Sequence, residues 1–274
     1  MIRRTDRAPW VLAMAMPLLL GAAPPRAPRI VSINPCVDAI LMRVADPAQI
    51  AAISNYSQDP RATSIPLDVA RRFAITSGTA EEVVALRPDL VLASGHVAAA
   101  TVAALARMHI RLVKYTVPAT VEESAEQVRD VATAIGHRER GADLAARILA
   151  AAAPGRAPPV PALIWGASGL VPGTGTLPDD LLRRAGFSNA SAGYGLQRWD
   201  VLPLEYLIAH PPRVLLSVAA AEGGGDRVGH HRALRRLGAR VTIAPFPARL
   251  MNCGGPAIVP AMARLRAVRA QVAL

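Results

Sequence analysis

The sequence predicts an α/β protein of two similar lobes, and two observations carry that prediction. One is a unit used twice. Glu81 to Ser94 reads EEVVALRPDLVLAS, and Glu205 to Ser217 reads EYLIAHPPRVLLS. Each opens on a Glu within a stretch whose apolar residues fall at helical spacing: Ala80, Val83 and Val84 in the first, Leu204, Leu207 and Ile208 in the second. Each then meets a Pro that can end the helix, Pro88 or Pro212. A short, almost wholly apolar run follows, of the kind a strand buried on both faces shows. The other observation is length: 274 residues are enough for two domains, each with its own sheet. A cleft between two lobes is a natural place for a ligand.

The elements follow in order. Arg29 to Ile33 is a short strand, Asn34-Pro35-Cys36 a turn, and Val37 to Ala45 a helix with Val37, Ile40, Leu41 and Val44 on one face. Ile50 to Ser54 is a strand leading into the polar loop Asn55 to Pro60, which carries Tyr56. After the first copy of the unit come Ser94-Gly95-His96, a helix over Ala98 to Met108 and a strand over Arg111 to Tyr115. Thr120-Val-Glu-Glu123 has the form of a capping box, and the helix it opens runs to about Ile135, where Gly136 stops it. A second, Ala-rich helix spans about Arg138 to Ala153. With the Pro-rich segment Pro154 to Pro161 it is the joint between the halves. The second half opens with a strand over Ala162 to Trp165, a Gly-rich loop over Gly166 to Thr176, and a helix over Leu177 to Ala185 ended by Gly186. Ser188 to Arg198 is a polar loop, and Trp199 precedes the second copy of the unit. Then come a surface turn at Glu222 to Asp226, a helix over His230 to Leu237, a strand over Val241 to Ala244, a loop over Pro245 to Pro256, and a last amphipathic helix from Ile258.

Composition narrows the function. A hydrophobic fraction of 52% and a mean hydropathy of +0.28 exclude general disorder. The net charge of +11 invites a nucleic-acid reading, but the arginines are scattered, aromatics make up only 4%, and no basic-aromatic motif is present, so no nucleic-acid partner is expected. At the amino end Arg3, Arg4 and Arg7 precede an uncharged apolar run from Trp10 to Ala23 that closes on small residues, the form of a secretion signal. The run is too short to span a bilayer comfortably. An exported, soluble, monomeric protein is expected.

Candidate chemistry is sparse. There is no nucleophile elbow, no HExxH and no carboxylate pair near a Gly-rich turn, so no catalytic residue is assigned. Cys36 with His96 is the one conceivable dyad of an exported enzyme. Pro172-Gly-Thr-Gly-Thr176 can offer backbone N–H groups to an anionic ligand edge, though it lacks the Lys of a nucleotide loop. His96 could serve as an axial ligand for haem or cobalt, but with no second ligand near it in the sequence it is read first as a loop histidine, and His230-His231 point apart on a helix, so no metal site is assigned. Cys36 and Cys253 stand at opposite ends of the mature chain. Three readings stay open for them: a disulfide between lobes, thiols that touch or ligate a metal centre in the ligand (a thiol metallochaperone being one form), or small inert hydrophobes.

GTAEEVVALRPDLVLAS, LPDDLLRRAGFSNA and WDVLPLEYLIAHPPRVLLS match in order and spacing as well as in composition. On these segments the chain resembles the periplasmic substrate-binding proteins of iron-complex and cobalamin ABC importers, over nearly everything after the signal. The resemblance implies two Rossmann-like α/β lobes joined by a single long helix, a class III binding protein with its ligand cleft between the lobes. The expected boundaries are a signal peptide over 1–27, an amino-terminal lobe over 28–136, the linking helix over 137–157 and a carboxyl-terminal lobe over 158–274. It implies a rigid joint and a small opening motion. Glu81 and Glu205, one per lobe, match the glutamates that dock onto arginines of the membrane permease. A carboxylate in a helix's first turn is favoured by the dipole and can pair bidentately with a partner's Arg.

The closest local matches are to the cobalamin-binding members. Tyr56 stands where they place a cleft tyrosine and Trp199 where they place a cleft tryptophan; flat aromatics suit a corrin or porphyrin face. Two further aromatic positions of those proteins appear here as Thr76 and Ser94, and the charged contacts of their last loop fall near Asn252 and Cys253. The expected ligand-binding set is therefore Cys36, Tyr56, Ser94, Trp165, Thr174, Trp199, Asn252 and Cys253. The expected ligand is a cobalt- or iron-containing chelate, a corrinoid first and haem or a ferric siderophore second. The protein itself needs no cofactor.

Overall fold

The first half of the chain builds one parallel sheet and the second half another. The computed structural model describes residues 27–166, 169–221 and 241–272. The predicted signal (apart from Ala27), the Glu222–Asp226 turn and the His230–Leu237 helix lie outside these residues. The strands of the first half are β1 (Ile30–Ser32), β2 (Ile50–Ser54), β3 (Ile75–Thr76), β4 (Leu90–Ser94) and β5 (Arg111–Tyr115). They pair in the order β3-β2-β1-β4-β5, all parallel. Its helices are α1 (Pro35–Val44), α2 (Leu67–Ala70), α3 (Ala80–Ala85), α4 (Ala99–Arg107) and α5 (Val121–Ala134). Helix α6 (Arg138–Ala151) carries the chain across. The second half holds β6 (Val160–Trp165), β7 (Leu170–Pro172), β8 (Phe187–Asn189), β9 (Trp199–Val201), β10 (Val214–Ser217) and β11 (Thr242–Pro245). Its parallel sheet runs β11-β10-β6-β8, while β7 and β9 form a separate antiparallel ribbon. The helices there are α7 (Leu177–Arg184), α8 (Leu204–Ala209), α9 (Val218–Ala221) and α10 (Ile258–Gln271).

The repeated unit forms twice as expected, α3 into β4 and α8 into β10, with Pro88 and Pro212 buried between helix and strand. Several local readings change. Asn34-Pro35-Cys36 is not a separate turn but the start of α1: Asn34 caps it, its Oδ1 accepting from the Cys36 N–H at 2.9 Å, and Pro35 takes the first helical position. At α5 the Thr120 hydroxyl accepts from Glu123 N–H at 3.1 Å as the capping box requires, but the Glu123 carboxylate reaches past the cap to the N–H of Ala119, at 2.7 Å. Strand β6 starts before Ala162 and takes in Pro161, where only β8 lies alongside, so a residue without an N–H is tolerated. The two predicted loops, 166–176 and 188–198, contain β7 and part of β8. Each of these strands is three residues long, too short for an alternation to be read.

The strands alternate between two packing faces. Leu90 and Leu92 of β4, with Ala162 and Ile164 of β6 and Leu216 of β10, join one large core built with α1, α5, α6 and α10. Val91 packs on the other face with Val31, Val83 and Leu105. Leu163, Trp165 and Leu215 do the same in the second half with Val171, Leu202 and Leu207. The large core therefore runs through both halves. Helix α6 is the covalent crossing, but α5, α7 and α10 share the seam with it. At one point there, Asp180 Oδ2 accepts from the buried N–H of Val121 at 3.0 Å and from Arg184, which also pairs with Glu122 at 2.6 Å. A joint so filled with packed side chains resists wide bending.

Candidate functional site

In open parallel sheets, ligands gather outside the carboxyl ends of the strands where strand order reverses. In the first sheet that point lies between β1 and β4, and α1 starts there. The carboxyl edges of the two sheets are tied together. Cys36, in the first turn of α1, forms a disulfide with Cys253, in the segment after β11, with a Cα–Cα distance of 5.1 Å. Beside it the Asn252 side chain donates to the Arg61 carbonyl at 3.2 Å, and the Ser64 hydroxyl donates to the Arg249 carbonyl at 2.8 Å. The disulfide reading of the cysteines holds. The thiol-ligation and metallochaperone readings, and the Cys36–His96 dyad, fall with it, because neither sulfur is a free thiol.

Tyr56 sits in the one-turn 3-10 helix Asn55–Gln58 that follows β2, and is 58% exposed. Its hydroxyl makes no hydrogen bond among the described residues. Trp199 opens β9, pairs with Pro172 of β7, and is 41% exposed. Neither aromatic is a core residue. Tyr56 stands at the carboxyl end of β2 and Trp199 on the β7–β9 ribbon; large aromatics left this open to solvent are available for a flat apolar guest. Ser94 ends β4 on the same edge, partly buried, its hydroxyl accepting from His96 N–H at 3.3 Å. Asn252 is partly buried and committed to its bond with Arg61.

Two of the predicted ligand contacts are corrected. Trp165 is 3% exposed. Strand alternation turns it, with Leu163, onto the face away from the shared core, beneath Val171 and Leu202, so its ring packs rather than lines a cleft. Thr174 and its glycine neighbours do not offer free N–H groups. Gly173 N–H donates to the Arg198 carbonyl, Thr174 N–H to the Leu196 carbonyl at 3.4 Å, and Gly175 N–H to Asp179 Oδ2 at 3.3 Å. The anion-cradle reading of that loop fails because the chain has already filled it. Thr76 also stands apart: it is buried, its hydroxyl donating to Glu82 at 2.8 Å.

Glu81 and Glu205 each occupy the second position of a short helix, α3 and α8. Both are exposed and neither forms an ion pair among the described residues. In α3 the capping work falls to Glu82, whose carboxylate accepts from Thr76, from Ser77 N–H and from the Ser77 hydroxyl, leaving Glu81 to solvent. The Thr79-Ala-Glu-Glu82 spacing is itself a capping signature that separates the two glutamates. One buried group was not singled out in the sequence: Asp38 of α1, fully buried, which accepts from Ser57 and Ser54. It stands next to the apolar stripe of α1, where nothing in the spacing marks it. A cavity of about 740 Å3 runs along the seam beside α1, lined by Met42, Ile65, Leu144, Arg147 and Val259 among others; neither Tyr56 nor Trp199 lines it.

The sequence matches the family described as periplasmic binding protein over residues 30–239. No curated protein matches the chain. Among solved structures it is similar to the periplasmic heme-binding protein RhuT from Roseiflexus sp. RS-1 in apo form, with a TM-score of 0.68 and 22% identity, covering 88% of this chain and 99% of that one. It is similar to the periplasmic heme-binding protein HutB of Vibrio cholerae, with a TM-score of 0.73, 15% identity, and coverage of 88% and 98%. It is also similar to the periplasmic vitamin B12 binding protein BtuF of Vibrio cholerae, with a TM-score of 0.69, 17% identity, and coverage of 90% and 99%. At these identities the likeness establishes a shared fold.

Proposed function

Because this chain belongs to the periplasmic binding protein family, we propose that it is the receptor of an ABC importer and holds a flat metal chelate between its lobes. The observation that carries the reading is the pair of exposed aromatics, Tyr56 and Trp199, one per half of the chain, Tyr56 just after β2 and Trp199 on the β7–β9 ribbon, in a molecule whose halves a disulfide ties together. Two rigid rings can cover the faces of a macrocycle at little entropic cost. A corrinoid is the first candidate, on the local match of both aromatics to cobalamin binders. Haem is the second, and one feature favours it: the unbonded Tyr56 phenol offers a hard oxygen of a kind that ligates haem iron. The chain acts without covalent chemistry: it binds, closes slightly and delivers. Export by the amino-terminal signal and action as a monomer complete the reading. Glu81 and Glu205 are its docking groups for the permease.

An absorbance titration of the purified protein with cobinamide, cyanocobalamin, hemin and a ferric catecholate tests this. A saturable shift of the corrin bands, or a Soret band distinct from that of free hemin, is expected for one probe. No spectral change and no thermal stabilisation with any of the four would overturn it.

A further inference from the structure

The buried carboxylate of Asp38 has no role in the docking or ligand contacts above. It lies on α1, two residues after the disulfide cysteine, with 0% of its surface exposed. Its Oδ2 accepts two hydrogen bonds, from the Ser57 hydroxyl at 2.6 Å and from the Ser54 N–H at 2.9 Å. Its Oδ1 is buried with no hydrogen-bond partner in normal geometry among the described residues, although the Ser32 hydroxyl lies near enough to favour the ionised carboxylate. Burying a carboxylate that leaves one oxygen unsatisfied is costly, so the arrangement calls for a reason.

The two donors mark that reason. Ser54 caps the single turn Asn55–Gln58, its hydroxyl accepting from the Tyr56 N–H at 3.3 Å, and Ser57 lies within that turn. Asp38 thus holds the residues on both sides of Tyr56 and fastens them to α1. Because α1 is also the helix joined to the other lobe through Cys36, the tyrosine is referenced to both lobes at once. A 3-10 turn this short has little stability of its own. The Gln58 side chain ties the far end of the turn, donating to the Ala70 and Phe73 carbonyls at 3.1 Å; Asp38 fixes its start and middle, and without that hold the exposed aromatic would sample more positions, with the entropy of fixing it falling on ligand binding.

We propose that Asp38 is the positioning residue of the ligand cleft: it touches no ligand, and it sets the Tyr56 turn in its binding geometry through Ser54 and Ser57. This rests on the reading of Tyr56 as a ligand contact, and the experiment separates the two.

The first measurement is amide hydrogen exchange on the ligand-free protein. Asp38→Ala is expected to speed exchange across residues 54–58 while the amides of β1 and β4 keep their protection; Ser57→Ala, a milder change, does the same to a smaller degree. Asp38→Asn, which keeps an acceptor oxygen, stays close to wild type. The second is a double-mutant cycle with hemin and with cobinamide. Asp38→Ala weakens binding by about tenfold in the wild-type background and by less than about twofold when Tyr56 is already Ala, because coupled residues are not additive. If Asp38→Ala does not fold, the Ser57→Ala arm decides. Unchanged exchange at 54–58 in these variants overturns the positioning role whatever the ligand. Equal losses of binding with and without Tyr56 overturn it too, showing a general loss of structure. If wild type takes up neither probe, the exchange result alone decides the role of Asp38.

Discussion

Asp38 makes a prediction at the scale of one residue. Burial pushes its pKa from 3.8 up to about 7, against the pull of Ser32, Ser57 and the Ser54 N–H. A carboxyl group raised on folding binds its proton more tightly in the folded state. Its contribution is therefore fully present below the unfolded value, and stability is lost as pH rises through the folded one, by up to about 1.4 kcal/mol per pH unit. Other carboxylates act in the opposite sense. Asp46 is held low by its hydrogen bond from Arg140, Glu82 by Thr76 and Ser77, and Glu122 by Arg184. Their contributions are lost only as pH falls below the ordinary carboxylate range. Between pH 5 and pH 8 wild type should lose stability in urea unfolding, whereas Asp38→Asn should give a nearly flat profile; parallel profiles would contradict this. Legibility at this scale was uneven. Tyr56 and Trp199 stood out in the sequence as candidate ligand contacts, and both are exposed. Trp165 was misplaced because a strand's parity decides which way it points, and that parity follows from packing partners distant in the chain. Asp38 was invisible because its donors lie on another element.

At the scale of elements, the helix pair α5 and α6 tests the packing of the joint. Gly141 of α6 faces Ala132 of α5 so closely that an added Cβ would fall within the Ala132 methyl, and it would also press on the Val128 carbonyl at 3.3 Å. Gly→Ala inside a helix normally stabilises by about 0.8–1.0 kcal/mol through propensity. Here steric overlap wins: Gly141→Ala should destabilise by about 1–3 kcal/mol, seen as a lowered Tm, and a raised Tm would refute the close approach. The disulfide is the other device at this scale, closing a loop across 217 residues. Reduction, or Cys36→Ser with Cys253→Ser, should cost about 2–4 kcal/mol of stability. It should also widen the distribution of lobe separations in small-angle scattering. The order of helices and strands was legible because buried parallel strands read as apolar runs, as at β4 and β10, and because Thr120, Gly136 and Gly186 punctuate helices. The ribbon of β7 and β9 was not, since its strands are short, β7 lies between two glycines, and the two are set by each other rather than by local pattern. The pairing of the cysteines was equally out of reach, since it needs the spatial meeting of two sheet edges.

At the scale of the whole molecule, two parallel sheets share one core and present their carboxyl edges to each other across a disulfide. A joint packed this way resists wide bending, so on the proposed reading the permease senses a surface that both lobes supply. Replacing Glu81 and Glu205 together with Ala should leave ligand affinity within about twofold, because both are exposed and form no ion pair among the described residues, while uptake in reconstituted vesicles falls by about tenfold or more. Unchanged uptake would remove the docking assignment and leave the receptor itself standing. The central claim is the grip of two aromatics on one flat guest. It is tested most directly by the dissociation constant of the Tyr56→Ala/Trp199→Ala variant for whichever probe the wild type binds. At about 1.4 kcal/mol per ring, the variant should bind about a hundredfold more weakly with its fold and melting temperature retained. An undiminished affinity in the folded variant would place the guest elsewhere and contradict the account.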